Sequence, residues 1–506
     1  MKVILSKEEA LYLDNESNSK GYISNSNLMK NAGRLSAEYF IDTIEDPFNK
    51  KVLVIAGSGN NGGDALIMHY YLNLYGVDSF ICFINKSKLE RLLVEYKIPI
   101  SRQIININKD VINNFDYFVD GIFGIGLNRP IEGKIKKIIE LLNGKSVFSL
   151  DIPSGLKCDT GTAFDENVIC KPKHVVSMGY LKPANIMNVG KSFFKRTKII
   201  DINFPDVRKI ISRIDKFLIE KKDILPILRQ KRNTRNKYDS FCNLIVGSKI
   251  YSGAGVLAMN AALKGGASYA QVFVPDCISD IYKKNSSESK IIGLGNKDCF
   301  YLKDFNEVSK NMLDRKAPVL IGPGLGGSSN TKSFIVKMLK FLKKKNSKCV
   351  LDASGFEPLY SNDINIDDLP NDCILTPHRG EFDKIFPEYY KSDKSELQIC
   401  QEVSNKLKGR VLVFKGATTI IVSRKKNLYL INKANSLLAS AGSGDVLSGI
   451  LIGLLSLGYD IDDTSLIGVY AHSLCSHIFY SDISKHRMLS ADILDIIPKA
   501  FNEIIS

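Results

Sequence analysis

The residues best suited to catalysis lie in one short stretch near the C-terminus, NSLLASAGSGDVLSGI at 435–450. Gly442, Ser443 and Gly444 leave backbone N–H groups unobstructed before the apolar run 446–455, which predicts a helix whose N-terminus attracts an anion. Asp445 inside that turn would repel a bound phosphate, so we interpret it as a base directed at a substrate hydroxyl. The pattern predicts phosphoryl transfer. The structural alternative is a glycine-rich helix end followed by a helix that begins with an aspartate.

A second glycine-rich turn, GSGNNGGDA at 57–65, directly follows the apolar run 51–56 and precedes a helical pattern. Its four glycines allow backbone amides to approach a ligand, and Asn60, Asn61 and Asp64 add side-chain oxygens. No Gly-Lys-Ser/Thr follows, which excludes a Walker A loop, and the ribose-binding acid of a dinucleotide fingerprint is missing. We therefore predict a ligand-binding turn of another kind, with a plain structural turn as the alternative.

Two aspartates stand at the ends of the next predicted strands, Asp120 in VDGIFGIGLNRP and Asp151 in LDIPSG. Because open α/β sheets bind ligands where strands end, we expect the two carboxylates to converge, with Ser154 exposed in the following turn. Asn61, Asp120 and Ser154 offer only hard oxygen ligands, which suit an alkali or alkaline-earth cation better than zinc. Asp151 would then be available for proton transfer. The alternative is that each aspartate only caps the turn after its strand.

Short β-rich runs alternate with helical patterns along the chain, which predicts an α/β protein with parallel sheets covered by helices on both faces. The first series has helical patterns at 64–75 and 133–142 and strands at 51–57, 79–84, 117–124 and 146–155. The second series has strands at 243–248, 269–275, 317–324, 348–354, 372–378 and 410–416. A charge-rich segment, 214–237, separates the two series, so we predict domains at 1–214 and 215–506.

The composition is that of an ordinary globular chain of 506 residues, 44% hydrophobic and 24% charged. The net charge of +15 is spread over both halves without an aromatic-interleaved basic stripe, so we expect phosphorylated small molecules rather than nucleic acid as partners. The ten cysteines form no C-x-x-C pair, and no segment has the ~18 apolar residues of a membrane span. The start of the chain lacks the apolar core of a signal peptide. These features predict a cytoplasmic enzyme with reduced thiols and no membrane partner.

Taken together, the motifs resemble two known families in tandem. Residues 1–205 resemble the YjeF N-terminal domain, the NAD(P)H-hydrate epimerase, in SKEEALYLD, SNLMKNAGR, GSGNNGGDA, DGIFGIGLNRPIEG and SLDIPSGLKCDTG. Residues 220–506 resemble the ADP-dependent NAD(P)H-hydrate dehydratase in YSGAGVLAMNAALKGGA, IGPGLGG, LTPHRGEF, FKGATTII and SAGSGDVLSGILIGLL. The resemblance implies two three-layer αβα domains, the first Rossmann-like and the second ribokinase-like.

The resemblance also implies a repair cycle for hydrated NADH and NADPH. The first domain would interconvert the R and S hydrates, with K⁺ bound and Asp151 in acid–base work. The second domain would phosphorylate the hydroxyl of the S hydrate from ADP with Mg²⁺ and then release phosphate, which restores NAD(P)H. Asp445 would remove the hydroxyl proton. We also expect a homo-oligomer.

Binding residues follow from the same resemblance. The epimerase substrate cradle comprises Asn60, Asn61, Gly62, Gly63, Asp64, Gly124, Ile125, Gly126, Leu127, Asn128, Arg129, Pro130 and Asp151, and the potassium ligands are Asn61, Asp120 and Ser154. The hydrate-binding residues of the dehydratase are Ala254, Gly324, Gly326, His378 and Asp445. Its nucleotide contacts are Lys415, Gly416, Ala417, Thr418, Thr419, Gly442, Ser443 and Gly444. For His378 alone, a polar residue in the N-terminal turn of a helix is the alternative.

Several positions depart from the family pattern near these sites, namely Ala65, Tyr238, Ser354, Ala434, Leu437 and Ser473. All but Ala65 fall at the rim of the dehydratase pocket, where they affect the expected rate or nucleotide preference, while the core motifs KGATT and AGSGD are intact. Two other functions stay open. One is a ribokinase-like kinase of a small molecule such as a vitamin precursor, with a non-catalytic N-terminal domain. The other is an interaction module, against which the retained carboxylates argue. ADP and ATP, and the NADH and NADPH hydrates, also remain alternatives.

Overall fold

The computed structural model describes residues 1–97, 99, 102–228, 240–295, 297–312 and 317–506. The chain forms two compact units, one of Lys2–Lys216 and one that contains Phe217–Ser506. Each unit is a three-layer αβα structure built around one sheet. No helix within the described ranges is both long and apolar enough to cross a lipid bilayer.

The first unit is a Rossmann-like α/β structure. Its strands are β1 (Lys2–Val3), β2 (Lys51–Ala56), β3 (Asp78–Phe83), β4 (Gln103–Ile104), β5 (Tyr117–Gly121), β6 (Ser146–Leu150), β7 (His174–Met178) and β8 (Thr197–Ile200). Its helices are α1 (Lys7–Ser19), α2 (Asn25–Thr43), α3 (Asn60–Leu74), α4 (Glu90–Glu95), α5 (Lys109–Ile112), α6 (Gly133–Leu141) and α7 (Pro183–Ile186). The parallel sheet has the order β4-β3-β2-β5-β6-β7-β8. Its order therefore reverses between β2 and β5, where open sheets bind ligands.

Strand β2 illustrates how the sequence covers both faces of this sheet. Val52, Val54 and Ala56 belong to the apolar cluster formed with α2 and α3. Leu53 and Ile55 belong to the cluster on the other face, which includes residues of α6. All five are fully buried, so β2 is apolar throughout, as expected for a parallel strand covered on both sides.

The second unit is also an α/β structure. Its strands are β9 (Lys216–Leu218), β10 (Phe241–Ile245), β11 (Tyr269–Pro275), β12 (Ser289–Leu294), β13 (Val319–Ile321), β14 (Cys349–Leu351), β15 (Cys373–Leu375), β16 (Val411–Phe414), β17 (Thr419–Val422) and β18 (Leu428–Ile431). Its helices are α8 (Lys221–Ile224), α9 (Ser252–Lys264), α10 (Ser279–Asn285), α11 (Phe305–Asn311), α12 (Ser329–Lys344), α13 (Glu357–Tyr360), α14 (Arg379–Ile385), α15 (Glu396–Lys406), α16 (Ser443–Ser456), α17 (Ile461–Asp482) and α18 (Ser490–Ile505).

The predicted parallel arrangement of this second sheet is confirmed for the strands in the order β16-β15-β14-β13-β10-β11-β12. Strands β17 and β18 extend the sheet beyond β16, and both are antiparallel to their neighbours. Neither is among the strands predicted from the sequence, the last of which is 410–416. Only short turns connect β17 and β18, whereas a parallel pair needs a crossover of a dozen or more residues.

Helix α16 is fixed in place by close packing on α9. A Cβ atom on Gly449 would lie 2.4 Å from the carbonyl oxygen of Ala258, and one on Gly453 would lie 2.4 Å from that of Ala262. The two helices can therefore approach only because both positions are glycine. This packing positions the N-terminus of α16, where Asp445 lies.

Candidate active sites

The glycine-rich turn 57–65 connects β2 to α3, with Gly59 as the helix N-cap. Two of its glycines are required by packing, because a Cβ on Gly57 would lie 1.9 Å from the Ile122 carbonyl oxygen and one on Gly62 would lie 2.0 Å from that of Gly57. The first contact joins the turns that follow β2 and β5, and the second lies within the turn 57–65. Ala65 lies within α3 and is fully buried, which explains why a residue other than glycine is accommodated there.

A cavity of about 430 Å³ opens where these turns meet, a volume within the usual range for small-molecule sites. Among the predicted cradle residues, those that line it are Asn60, Asn61, Asp64, Gly124, Ile125, Gly126 and Asp151. Those that do not are Gly62, Gly63 and Leu127, which are buried, and Asn128, Arg129 and Pro130, which are exposed. The structure thus brings the two turns and the end of β6 together around one cavity.

Asp151 is held at this cavity by a buried lysine that the sequence motifs do not indicate. The Lys182 Nζ lies 2.5 Å from the Asp151 Oδ1 and donates a second hydrogen bond, of 2.9 Å, to the Met178 carbonyl oxygen. Asn185 Nδ2 donates to the Asp151 carbonyl oxygen at 3.0 Å. The lysine and aspartate side chains are only 5% and 11% exposed, so the ion pair is weakly screened by water. The one available signal was the position of Lys182 just after β7, the neighbour of β6.

Asp64 lines the same cavity from the first turns of α3. Burial raises the pKa of the Asp64 carboxyl well above its ordinary value, and the charges of Asp151 and Asp14 raise it further, whereas Lys182 lowers it. A carboxyl that is kept protonated can donate a hydrogen bond to a substrate oxygen.

Asp120 has different surroundings from Asp151, so the expected convergence of the two carboxylates is not found. Asp120 is fully buried and does not line the cavity. It accepts hydrogen bonds from Ser154 Oγ (2.6 Å), the Ser154 N–H (2.8 Å), Ser149 Oγ (2.9 Å) and the Ile122 N–H (3.3 Å). Burial raises the pKa of Asp120, and these hydrogen bonds oppose the rise.

Ser154 is 1% exposed, so the expectation of an exposed side chain is wrong. The cause is Gly155, whose φ of 110° folds the turn inward until a Cβ there would lie 2.3 Å from the Val168 carbonyl oxygen. The Cys170 N–H then donates to the Ser154 carbonyl oxygen at 2.8 Å. Ser154 is thereby fixed against Asp120 rather than presented to solvent.

The residues expected to hold potassium fit a cation in two respects. Asn61 Oδ1 is buried and has no hydrogen-bond partner among the described residues. Asp120 is a buried carboxylate that takes part in no ion pair within the described part of the chain. Asn61 Oδ1 therefore has lone pairs free to accept a partner, and Asp120 has no opposite charge beside it. Because all the candidate ligand atoms are hard oxygens, an alkali cation suits the site.

In the second unit, the stretch 442–445 begins α16 as the sequence predicts. Gly442 is the N-cap in the left-handed conformation, with φ 91°, and a Cβ there would also lie 2.6 Å from Leu257 Cδ1. Ser443, Gly444 and Asp445 form the first turn. The Ser443 N–H donates to the Ser440 carbonyl oxygen at 3.2 Å, whereas the N–H groups of Gly444 and Asp445 have no acceptor within the helix. The amides and the helix dipole favour a phosphoryl group in front of this turn.

The Asp445 side chain is largely removed from water. Burial raises the pKa of Asp445 to about 7, with Asp352 and Glu381 raising it further and Lys415 lowering it. A carboxylate whose pKa lies near neutrality exchanges protons efficiently at physiological pH. The geometry and the pKa therefore suit a general base.

Lys415 lies beside this helix end. Its N–H donates to the Pro377 carbonyl oxygen at 2.9 Å, and its Nζ lies 3.0 Å from Asp352 Oδ1 and 3.8 Å from Glu381 Oε2. A Cβ on Gly444 would lie 3.2 Å from the Lys415 Nζ, so the ammonium group rests against the turn of α16. Burial alone lowers the pKa of Lys415, but the carboxylates raise it above its ordinary value and keep the side chain charged. The site thus combines a base, a cation and amide donors.

Magnesium would enter this site with a nucleotide. The described residues contain no group of three or more His, Cys, Asp or Glu side chains arranged to hold a metal ion. The carboxylates of Asp352, Glu381 and Asp445 nevertheless share one ammonium group, that of Lys415. Their excess negative charge fits a hydrated Mg²⁺ carried by the phosphates, which is the common mode for this ion.

The turn after β13 places two of the predicted hydrate-binding residues beside the start of α9. A Cβ on Gly324, whose φ is 72°, would lie 2.3 Å from the Tyr251 carbonyl oxygen and 3.3 Å from the Ala254 Cβ. The Gly326 N–H donates to Ser354 Oγ at 3.1 Å. Ser354 departs from the family pattern, yet it retains a side-chain oxygen that anchors the turn.

His378 is the N-cap of α14, so the structural alternative for this residue is present. Its Nδ1 accepts hydrogen bonds from the N–H groups of Gly380 (3.0 Å) and Glu381 (3.3 Å), and its own N–H donates to Glu381 Oε2 at 2.9 Å. The ring is still 61% exposed, and a parallel bridge joins His378 to Lys415. His378 therefore lies at the same sheet edge as Lys415.

The other predicted nucleotide contacts follow Lys415 in the turn before β17. Gly416 and Ala417 are exposed, whereas Thr418 and Thr419 are buried. The exposed pair lies at the sheet edge where a nucleotide could be reached, whereas Thr418 precedes β17 and Thr419 is its first residue.

The remaining family departures have structural explanations in part. Leu437 is buried in the main apolar cluster, and Ser473 is buried in α17, where its carbonyl oxygen accepts from Ser476 Oγ at 2.8 Å. Ala434 is half-buried, and nothing in the structure explains its substitution. Tyr238 lies outside the described residues.

The folds and sites of the two units define the class of protein. One carries a buried aspartate–lysine ion pair at a cavity at the switch point of a Rossmann-like sheet, and the other carries an aspartate, a lysine and a helix N-terminus at the edge of a largely parallel sheet. This combination is that of a two-domain α/β enzyme with one site of the phosphoryl-transfer type.

Comparisons with known proteins identify the family. The family profile described as NAD(P)H-hydrate dehydratase matches residues 242–499, and that described as YjeF-related protein N-terminus matches residues 25–184. A bifunctional NAD(P)H-hydrate repair enzyme of Dictyoglomus turgidum is 31% identical over 497 residues, which cover 94% of each chain. One of Thermofilum pendens is 27% identical over 533 residues, 100% of this chain and 97% of that protein. The chain belongs to the family of bifunctional NAD(P)H-hydrate repair enzymes.

Solved structures show similarity as well. A ribokinase-like superfamily protein of Enterococcus faecalis has a TM-score of 0.49 and 20% identity, covering 57% of this chain and 96% of that one. An ADP/ATP-dependent NAD(P)H-hydrate dehydratase of Bacillus subtilis, co-crystallised with ATP and Mg²⁺, has a TM-score of 0.48 and 21% identity, covering 56% of this chain and 97% of that one.

Proposed function

We propose that this chain repairs hydrated NADH and NADPH, interconverting the R and S hydrates at the first unit and dehydrating the S hydrate at the second with ADP. The observation that carries the proposal is the position of Asp445 in the first turn of α16, beside the Lys415 ammonium group. The preservation of both sites in one chain supports the coupled function.

The second site converts a poor leaving group into a good one. Asp445 accepts the proton of the substrate hydroxyl. The hydroxyl oxygen attacks the terminal phosphorus of ADP, so that a new O–P bond forms and AMP leaves. The amides of Gly442 to Gly444 and the Lys415 ammonium group stabilise charge on the transferring phosphoryl group. Mg²⁺ bound to the phosphates would offset their negative charge. The C–O bond then breaks, phosphate departs, and loss of a ring proton restores the double bond.

The first site would act on the hydroxyl-bearing ring carbon. Asp151, fixed by Lys182, accepts or donates the proton during inversion. Asn61, Asp120 and Ser154 would hold a potassium ion, which supplies positive charge near the substrate when bound. Asp64 and the α3 amides hold the substrate oxygens.

Compartment and assembly belong to the same proposal. All ten cysteines are free thiols, which suits a reducing compartment and favours the cytoplasm. We further propose a homo-oligomer, for which light scattering of the purified chain gives the mass directly.

The function is tested with mixed hydrate epimers, ADP and Mg²⁺. We expect complete recovery of the near-UV absorbance of the reduced nicotinamide, because the first unit resupplies the S hydrate. Consumption of the S hydrate alone would mean that the first unit is not an epimerase. A stable phosphorylated product would instead favour the small-molecule kinase, and a lack of any recovery would refute the dehydratase. Parallel reactions with ATP in place of ADP measure the preference for the phosphoryl donor. Reactions with NADH hydrate and with NADPH hydrate measure the preference for the substrate.

Dehydration is also expected to depend on pH through Asp445. The base must be ionised to accept a proton and its pKa is raised to about 7, so kcat/KM should fall as the pH drops below about 7. Lys415, whose pKa is raised, stays charged across this range. In the Asp352→Asn variant, this fall in kcat/KM should occur at lower pH, because the negative charge of Asp352 raises the pKa of Asp445. If kcat/KM falls at the same pH in the variant as in the wild type, a group other than Asp445 controls the pH dependence.

A further inference from the structure

Asp14 is a carboxylate at the epimerase cavity that belongs to none of the motif loops. It lies in α1 and lines the cavity together with Asp64, Asp151 and Lys182. No hydrogen bond to its carboxyl group is found among the described residues, although the neighbouring Asp64 and Asp151 are both close enough to interact with it electrostatically. The side chain is therefore presented to the cavity rather than used to hold the fold together.

Three carboxyl groups in this cavity share one ammonium group, and they are not equivalent. Asp151 takes the direct contact with the Lys182 ammonium group, at 2.5 Å. For Asp64, burial raises the pKa well above the ordinary value. Burial raises the pKa of Asp14 to about 6, with Lys182 lowering it and Asp151 raising it. The cavity thus offers one carboxyl group paired with an ammonium group, Asp151, and another that exchanges its proton near neutral pH, Asp14.

We propose that Asp14 is the second acid–base residue of the epimerase and works as the proton donor that complements Asp151. The proposal rests on the proposed function of the first unit. Asp14 and Asp151 reach the cavity from different elements, α1 and the end of β6, so two separate carboxyl groups are available to one bound ring.

The step is balanced in atoms and electrons. The C–O bond of the hydrate breaks, its electron pair stays on oxygen, and the Asp14 carboxyl proton converts that oxygen to water. The lone pair of the neighbouring ring nitrogen forms a C=N bond in the cationic intermediate. A water molecule then adds to the opposite face, forming the new C–O bond, and loses its proton to Asp151. In the reverse direction the two aspartates exchange roles.

Asp14→Asn in the full-length chain tests the proposal, with a single purified epimer as substrate and ADP omitted. We expect kcat for epimerisation to fall about 10²-fold with KM little changed, because the amide keeps the shape but cannot donate a carboxyl proton. Because Asp14 must be protonated to act as the donor, the wild-type rate should fall above about pH 6. This fall should be absent in the variant. The matched control is Glu16→Gln in the same helix, where Glu16 pairs with Lys20 outside the cavity, and it should keep the wild-type rate.

The outcomes separate this proposal from the function on which it rests. An inactive wild-type chain would refute the epimerase, whereas an active wild type with an equally active Asp14→Asn variant would overturn the role of Asp14 alone. Hydrogen exchange in α1 and α3 reports whether the variant unit is folded. If it is not, Asp14→Glu becomes the decisive variant. It moves the donor by one methylene, so a kcat at least tenfold lower supports the proposal and an unchanged kcat and pH profile overturn it.

Discussion

Replacing Asp445 with asparagine is expected to lower kcat for ADP-dependent dehydration by about 10³-fold, within the range for loss of a general base. Asparagine preserves the size of the side chain and the start of α16 but cannot accept the hydroxyl proton. Because the Asp445 carboxyl is largely buried, water cannot easily take over its role. The measurement is the initial rate of recovery of near-UV absorbance from purified S hydrate with ADP and Mg²⁺.

The same variant should epimerise R hydrate at the wild-type rate, since Asp445 belongs to the other unit. Asp492→Asn is the matched control, because Asp492 is also the third residue of a helix, α18, where its carboxylate accepts from the Leu489 N–H. That control should leave dehydration unchanged. A dehydration rate in Asp445→Asn close to that of the control would contradict the role of Asp445 as the base.

Sequence predicts those parts of the sites in which a turn is followed within a few residues by the helix that it precedes. The turn 57–65 and the stretch 442–445 both combine glycines, a polar side chain and the start of a helix in one segment. Such local patterns specify backbone geometry directly, because only glycine tolerates the left-handed N-cap or the close backbone contacts found there.

Side chains that arrive from other segments are not visible in this way. Lys182 meets Asp151 only because β6 pairs with β7 in the register Leu150 to Val176, and that register is a property of the folded sheet. The burial of Ser154 likewise depends on contacts of its turn with residues 168–170. Strands β17 and β18 were missed for a different reason. Each has only four residues, which is too short for its hydrophobic pattern to identify a strand.

Loss of the Asp151 carboxylate is expected to have the largest effect on the first unit. In Asp151→Asn, kcat for epimerisation should fall about 10³-fold, because the acceptor held by Lys182 is gone. The variant should also lose about 3 kcal/mol of stability, since a buried ammonium group is left without its partner. Single-epimer assays and denaturant unfolding, read with a probe in the first unit, measure the two effects separately.

A double-mutant cycle with Lys182→Met decides whether the pair matters for catalysis or only for folding. Lys182→Met alone leaves Asp151 buried and uncompensated, so it too should destabilise the unit, by a similar amount. The double variant Asp151→Asn/Lys182→Met removes both charges, so much of the lost stability should return. Epimerisation should not return, because no proton acceptor is restored. Recovery of activity together with stability would mean that the ion pair only supports the fold and that the acid–base residue lies elsewhere in the cavity.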